Sequence, residues 1–359
     1  MEYVIKGHEH DLVLKPKPNM RKLYIELTTH CNYDCPFCFR NTFREELGMM
    51  NLDTLHRIFE DVSDFPELEW IVFGGIGEPM THPNFREAVT YFADKGYKTM
   101  ITTNGGLIDD KAIDCLIEHG VNKLSISLDF SEIGHPNADQ TIQIIKKINR
   151  EVERRLAGKP VVAVELVLST QNIHHLPKLA PLLIDIGITE VIVSNLLPIH
   201  PMLNQFVLYD KKFDRYKHYF DEFLSRVTGR LAIDVPNFEL LTERHCNFIE
   251  SNAAVIRWDG EVFPCYRLMH DAVEYIYGRR KEIHAHSFGN INNQSLKSIW
   301  MSKDYTYFRY KVRNALFPSC TDCKFKDVCQ FVDTTEVDCW GNEPSCADCL
   351  WWRGILICP

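Results

Sequence analysis

The sequence predicts an α/β protein, a parallel sheet built from repeated strand–helix units, followed by a smaller cysteine-rich domain. Between residues 23 and 229, short apolar or alternating runs interchange with stretches whose apolar residues recur at i, i+3, i+4 and i+7. That alternation is the rhythm of βα units and of a parallel sheet with right-handed crossovers. The second observation is where the thirteen cysteines fall: three in one loop at 31–38, nine between Cys246 and Cys358, and Cys115 alone. The third is the loss of helical repeat near Gly229, where turns and cysteines take over. We therefore expect a lead-in at 1–22, a core domain at 23–229 and a metal-dependent domain at 230–359, the last with too few apolar residues to order itself unaided.

Taking the elements in order, Pro16 and Pro18 keep the lead-in extended. Leu23, Ile25 and Leu27 alternate as a first strand. Leu55, Ile58, Phe59 and Val62 mark a helix, and Trp70–Phe73 a second strand. Phe85, Ala88, Val89 and Phe92 form the next helix, stopped by Gly96 before the strand Lys98–Thr103. A helix at Asp110–Glu118 precedes the strand Lys123–Asp129, and Cys115 falls on it beside Ala112 and Leu116 as a small core residue. The helix Ala138–Arg154 leads to the strand Val161–Leu168. Leu176, Leu179, Ala180 and Leu183 make a fifth helix, Glu190–Ser194 a sixth strand, and Tyr209–Val227 a sixth helix. Beyond Gly229, Ile256–Val262 reads as a hairpin with an Asp259-Gly260 turn, and Leu296–Trp300 as a short helix.

A net charge of −9 argues against a broad phosphate-binding surface, so nucleic acid is not expected as a partner. No apolar run approaches the roughly 20 residues that span a bilayer. The first residues lack a signal-peptide core, and a cytoplasmic location is expected. In a reducing compartment so many cysteines point to metal binding in preference to disulfides.

Cys31, Cys35 and Cys38 follow the first strand at Cys-x3-Cys-x2-Cys spacing. Three soft thiolates on a short loop suit three corners of a [4Fe–4S] cube and leave one iron open to a small ligand. Zinc is the alternative, with His30 as the fourth ligand. The loop, with Phe37 before its last cysteine, resembles the cluster motif of the radical S-adenosylmethionine (radical SAM) enzymes. That resemblance implies a partial (βα)6 barrel, a [4Fe–4S] cluster whose open iron binds SAM, and reductive cleavage of SAM to a 5′-deoxyadenosyl radical. Periodicity alone does not separate such a barrel from an open sheet.

The strand ends carry matching features. Gly74-Gly75-Ile76-Gly77-Glu78-Pro79 resembles the family's motif for the SAM amino group, implying roles for Gly75, Gly77, Glu78 and Pro79. Asn104 ends the third strand. Ser127 and Asp129 lie where the family contacts ribose, and Ser194, Asn195 and Leu196 where it holds adenine. The same polar residues could instead cap the helices that follow. No residue declares itself as catalytic acid, base or radical donor.

Cys246, Gly260 and Cys265, then Cys320-x2-Cys323-x5-Cys329, resemble the SPASM extension, which implies two auxiliary [4Fe–4S] clusters. The family's next cysteine would stand at Asp333; here Cys339, Cys346, Cys349 and Cys358 follow instead, one thiol more than two clusters need. Our assignment gives one cluster Cys246, Cys265 and some of Cys339, Cys346 and Cys349, and the other Cys320, Cys323, Cys329 and Cys358. Zinc remains the alternative here too.

The run Cys339–Trp351, the ending Cys358-Pro359 and Ser194–Pro198 resemble the SPASM maturases associated with tungsten-containing aldehyde oxidoreductases. This implies an oxygen-sensitive maturase acting on the tungsten-pterin cofactor or its oxidoreductase, fed by a ferredoxin or flavodoxin-type reductant. A peptide- or protein-modifying enzyme making thioether or carbon–carbon crosslinks would need the same parts. An electron-transfer protein is the third reading, though it would favour four cysteines in the first loop.

Overall fold

The computed structural model describes residues 2–129, 138–209 and 213–358. Strands β1 (Tyr3–Ile5) and β2 (Leu12–Leu14) pair antiparallel as a small hairpin in the lead-in, where only extended chain was expected. The core then alternates as the periodicity predicts: β3 (Lys22–Ile25), α1 (Leu52–Asp61), β4 (Trp70–Phe73), α2 (Phe85–Asp94), β5 (Lys98–Thr103), α3 (Asp110–Glu118), β6 (Lys123–Ser127), α4 (Ala138–Arg154), β7 (Val161–Leu168), α5 (Leu176–Asp185), β8 (Glu190–Asn195) and α6 (Lys217–Val227). Asn51 and Asp109 cap α1 and α3 by accepting from the Thr54 and Ala112 amides. The sixth helix starts later than expected. A short 3-10 turn, Phe213–Arg215, precedes it, and residues 210–212 of the expected span lie outside the described residues.

Strands β3 to β8 pair in sequence order, all parallel. This is the partial (βα)6 barrel. Alternate strand residues such as Leu23, Ile25, Ile71, Phe73, Leu124, Ile126, Val162 and Val164 are buried in the main core with the apolar faces of the helices.

The C-terminal region adds β9 (Ala232–Asp234), α7 (Asn247–Glu250), β10 (Ala253–Ile256), β11 (Val262–Phe263), β12 (Ala272–Ile276), β13 (Arg279–Ile283), α8 (Leu296–Trp300) and α9 (Lys303–Arg313). β9 joins β8 in parallel, a seventh strand too short to register in a periodicity window. β10 pairs parallel with β3 on the far side, and β10–β11 close the expected hairpin at Asp259-Gly260. One nine-stranded sheet thus runs through both parts of the chain.

The expectation of a poorly apolar C-terminal domain is corrected. Phe263, Leu268, Ile291, Trp300, Tyr305, Phe308, Phe317, Trp352 and Ile355 are buried, and most of them belong to the same core as the barrel. These residues are divided among short elements, Phe263 on β11, Trp300 on α8 and Tyr305 and Phe308 on α9, and the turns between them, so no one long periodic run revealed them. Trp300 illustrates the joint: fully buried, it meets Phe65 of the barrel edge-on at 6.4 Å, carries Arg309 on its ring at 3.7 Å, and donates Nε1–H to the Lys17 carbonyl at 3.0 Å. Trp300→Ala should lower stability by about 3–5 kcal/mol, the usual range for emptying a large aromatic site. Urea unfolding should show barrel and C-terminal region melting together; two separated transitions would contradict a shared core.

Candidate functional site

A cleft of about 880 Å³ opens at the C-terminal ends of the strands. Cys31, Cys35 and Cys38 line it, as do Gly75, Gly77, Glu78, Asn104, Ser127 and Asp129. Nine expected site residues from four different strand ends therefore share one space, where ligands gather in parallel α/β sheets.

The cysteine loop and the glycine segment are stitched together. The Glu78 amide donates to the His30 carbonyl at 2.8 Å. A Cβ at Gly77 would lie 2.2 Å from the Thr28 carbonyl oxygen and 2.6 Å from that of His30, so no larger residue fits. Gly75 holds φ at +120°, and a Cβ there would meet Glu26 Cγ at 2.7 Å. The Glu78 carboxylate is buried, which raises its pKa to about 7 against three donors: the Asn104 amide at 2.8 Å, the Met80 amide at 3.1 Å and Thr103 Oγ1 at 2.9 Å. Its oxygens are occupied with tying this segment to the next strand end. Pro79 starts a short helical turn behind the cleft and does not face it.

Burial, then the neighbouring Cys38 and Cys31, raises the Cys35 thiol to about 11, and burial raises Cys38. Metal binding here must therefore release protons. Arg40 lies beside the loop, donating to the Tyr33 carbonyl at 2.9 Å and lowering both pKa values in part. Asn104 Nδ2 approaches Cys31 Sγ at 3.5 Å.

Ser194 and Asn195 do not line the cleft. Ser194 Oγ accepts from the Ile357 amide at 3.1 Å, and Asn195 Nδ2 donates to the carbonyls of Ile355 at 2.8 Å and Asn237 at 3.1 Å. Their side chains hold the C-terminal segment against the end of β8.

In the second cysteine field, Cys246, Cys265, Cys346 and Cys349 line one pocket walled by Phe248, Ile249, Phe308, Val312 and Trp352. Burial raises all four thiols. Cys339 is not among them. It is exposed and lies within electrostatic reach of Cys329, Cys323 and Cys320. The expected partner of that trio, Cys358, sits elsewhere, taking a hydrogen bond from Trp351 Nε1 at 2.9 Å and facing Cys265 and Glu165. The position of Cys358 in sequence misled because the chain turns back toward the barrel after Trp351. The structure thus separates a four-thiol pocket, with Cys358 next to its Cys265 and Cys349, from a second group of Cys320, Cys323, Cys329 and Cys339. Among the described residues no three His, Cys, Asp or Glu close on one point as a single metal ion requires. Thiols spaced around a pocket suit a cluster, whose sulfur ligands are spread over several irons.

Sequence reasoning missed the support beneath the cleft. His270, fully buried and stacked on Phe43 at 4.3 Å, shares Nε2 with the Glu26 carboxylate at 3.0 Å and Nδ1 with Glu45. Glu26 in turn accepts from the Ile76 amide at 3.0 Å. A C-terminal histidine thereby braces the glycine segment. Only the unusual placement of Glu26 within an apolar strand pattern could have signalled it.

Against known proteins, residues 25–183 match the model of the radical SAM superfamily, and residues 246–324 that of the SPASM iron–sulfur cluster-binding domain. The chain is 44% identical over 347 residues to the tungsten-containing aldehyde ferredoxin oxidoreductase cofactor-modifying protein of Pyrococcus furiosus, covering 95% of this chain and 97% of that one. It is 25% identical over 349 residues to the PqqA peptide cyclase of Bradyrhizobium diazoefficiens, covering 90% and 85%. Among solved structures, SuiB of Streptococcus suis bound to S-adenosylmethionine shares the fold with a TM-score of 0.62 at 17% identity, over 88% of this chain and 73% of that one.

The His270 network has a pH signature. Burial opposes its charge, but Glu26 and Glu45 outweigh this and raise its pKa from 6.5 to about 9. The folded protein thus holds a proton the unfolded chain has lost. The contribution is complete below about pH 6.5 and disappears as pH rises through about 9. His270→Asn should therefore flatten the fall of stability across that window in denaturation measured at several pH values. An identical slope in both proteins would contradict the network.

Proposed function

The chain belongs to the radical SAM superfamily and carries a SPASM domain; from that premise we propose that it matures a tungsten-containing aldehyde oxidoreductase, acting on the tungsten-pterin cofactor or on the protein that receives it. The observation carrying this substrate is the 44% identity to the Pyrococcus cofactor-modifying protein across nearly the whole of both chains. When bound, a reduced [4Fe–4S] cluster with SAM on its open iron supplies the 5′-deoxyadenosyl radical that abstracts hydrogen.

This chain's residues supply position and a dry setting. Cys31, Cys35 and Cys38 would hold three irons, their shared lining of one cleft supporting the assignment. Gly75 and Gly77 bring main chain to the same cleft, where carbonyls can accept from the SAM amino group, while Glu78 in the cleft wall and Pro79 behind it fix that segment. Ser127 and Asp129 can reach the ribose, and Asn104 stands beside the cysteine loop. Of the adenine segment, Leu196 clusters with Phe37 and Val167, which line the cleft, whereas Ser194 and Asn195 lie outside it and their assignment to adenine rests on the family resemblance alone. Phe37, Ile76, Leu128 and Val167 line the cleft with apolar surface that excludes water.

The SPASM domain binds auxiliary iron–sulfur clusters. We assign one to Cys246, Cys265, Cys346 and Cys349 and the other to Cys320, Cys323, Cys329 and Cys339, leaving Cys358 spare. We divide the chain near residue 230, with β9 returning to the barrel sheet. The described residues contain no helix long and apolar enough to cross a membrane. We place the protein in the cytoplasm, with a ferredoxin or flavodoxin-type reductant. A second reading, peptide crosslinking, is favoured by the similarity to a PqqA peptide cyclase along 90% of this chain.

Under dithionite, Cys35→Ala should form no 5′-deoxyadenosine; formation at the wild-type rate would overturn the assignment of the first loop. Cys323→Ala should still cleave SAM while yielding no product, read by chromatography of the substrate. An oxidoreductase produced without this protein should have low activity that is restored on adding the protein, SAM and reductant. Full activity without it would remove the tungsten reading and leave the radical chemistry intact.

A further inference from the structure

Asp348 lies between two pocket cysteines, Cys346 and Cys349, and is the hub of a buried charge group. Arg267 Nη2 donates to its Oδ1 at 3.1 Å, while Arg279 Nη2 and Lys281 Nζ each lie 3.0 Å from its Oδ2. Glu274 Oε1 accepts from Arg267 Nη2 at 2.6 Å and from Nε at 3.1 Å. Three cations thus face two anions, one positive charge in excess, in a region where Arg267, Glu274, Lys281 and Asp348 are all at most 3% exposed.

The arrangement looks incomplete by itself. Arg267 Nη1 is buried and has no hydrogen-bond partner. Leaving such a donor unsatisfied costs about 1–3 kcal/mol, more for a charged group. Glu274 and Asp348 already engage the other side of the guanidinium. Arg267 itself lines the four-thiol pocket and is, among the described residues, the one cationic residue there; beside the thiols the other lining residues are aromatic, aliphatic or proline. An acceptor inside that pocket would satisfy both the orphan N–H and the excess charge.

Resting on the reading of the four thiols as a cluster site, we infer that Arg267 is a positioning residue: it donates Nη1–H to a sulfur of the auxiliary cluster held by Cys246, Cys265, Cys346 and Cys349 and favours that cluster's reduced state. Reduction adds one electron, hence one negative charge, to the pocket. A hydrogen bond to sulfur and an uncompensated cation both stabilise that form and raise the potential. Four protein thiols also leave no iron free, so this cluster carries electrons and binds no substrate. Lys281 is a second guard on the same charge group, anchored by the Val332 and Thr334 carbonyls at 3.0 and 2.8 Å.

The test uses the full chain with Cys31, Cys35 and Cys38 changed to Ala, so that only auxiliary clusters remain. Redox titration followed by electron paramagnetic resonance is run on this protein and on its Arg267→Gln and Arg267→Lys versions, with iron counted in each. One auxiliary signal should move to lower potential in Arg267→Gln and by less in Arg267→Lys, while the other stays in place. Arg267→Lys keeps the charge and carries the test where the Gln version fails to assemble. Unchanged potentials at full iron content overturn this inference alone. Zinc in place of iron overturns it together with the reading beneath it.

Discussion

The parallel pairing of Lys22–Ile25 with Trp70–Phe73 on one side and Ala253–Ile256 on the other sets the spacing of everything chemical in this protein. Each of the three strands ends at the same level and hands over to a functional segment: the cysteine loop after β3, the glycine segment after β4, and the hairpin leading to Cys265 after β10. Because the register is fixed by ladder hydrogen bonds, a slip of one residue would turn Tyr24 and Glu26 outward and Leu23 and Ile25 into the lumen. The strand from the C-terminal region is thus part of the scaffold that holds the first cluster site.

Charge is managed around this scaffold by local pairing. Burial raises thiols in both fields, Cys35 and Cys38 in the first and Cys246, Cys265, Cys346 and Cys349 in the second, and a thiol that takes a metal gives up its proton. Two buried ionic groups, His270 with Glu26 and Glu45, and Arg267 with Glu274 and Asp348, lie behind the glycine segment and the four-thiol pocket respectively. Both groups include residues of the C-terminal region and both brace a pocket wall. Buried ionic groups of this kind are weak sources of net stability, and their value here lies in geometry and potential.

The sequence was most legible where one period governs a long segment. The helices carrying Ile58 and Phe59 or Phe220 and Phe223 declared themselves, as did the strand ends that supply Gly75, Asn104 and Asp129. The Cys-x3-Cys-x2-Cys loop needed no structure to point to iron and sulfur. Legibility failed where contacts are long-range. The pairing of β10 with β3 joins residues far apart in sequence, and nothing local announces it. The fate of Cys339 and Cys358 depends on how the chain turns between Gly341 and Gly354, and counting cysteines could not resolve it. His270 and Arg267 are single polar residues with no motif, whose roles arise from burial alone.

Of the three clusters proposed, one, and one only, should have an open iron that SAM occupies. Mössbauer spectroscopy of protein enriched in 57Fe tests it most directly, with spectra recorded before and after SAM is added. About twelve irons, four for each of three clusters, should be present, and SAM should shift the signal of a single iron while the others keep theirs. A spectrum that SAM leaves untouched, or one in which irons of several clusters respond, would contradict a single open iron.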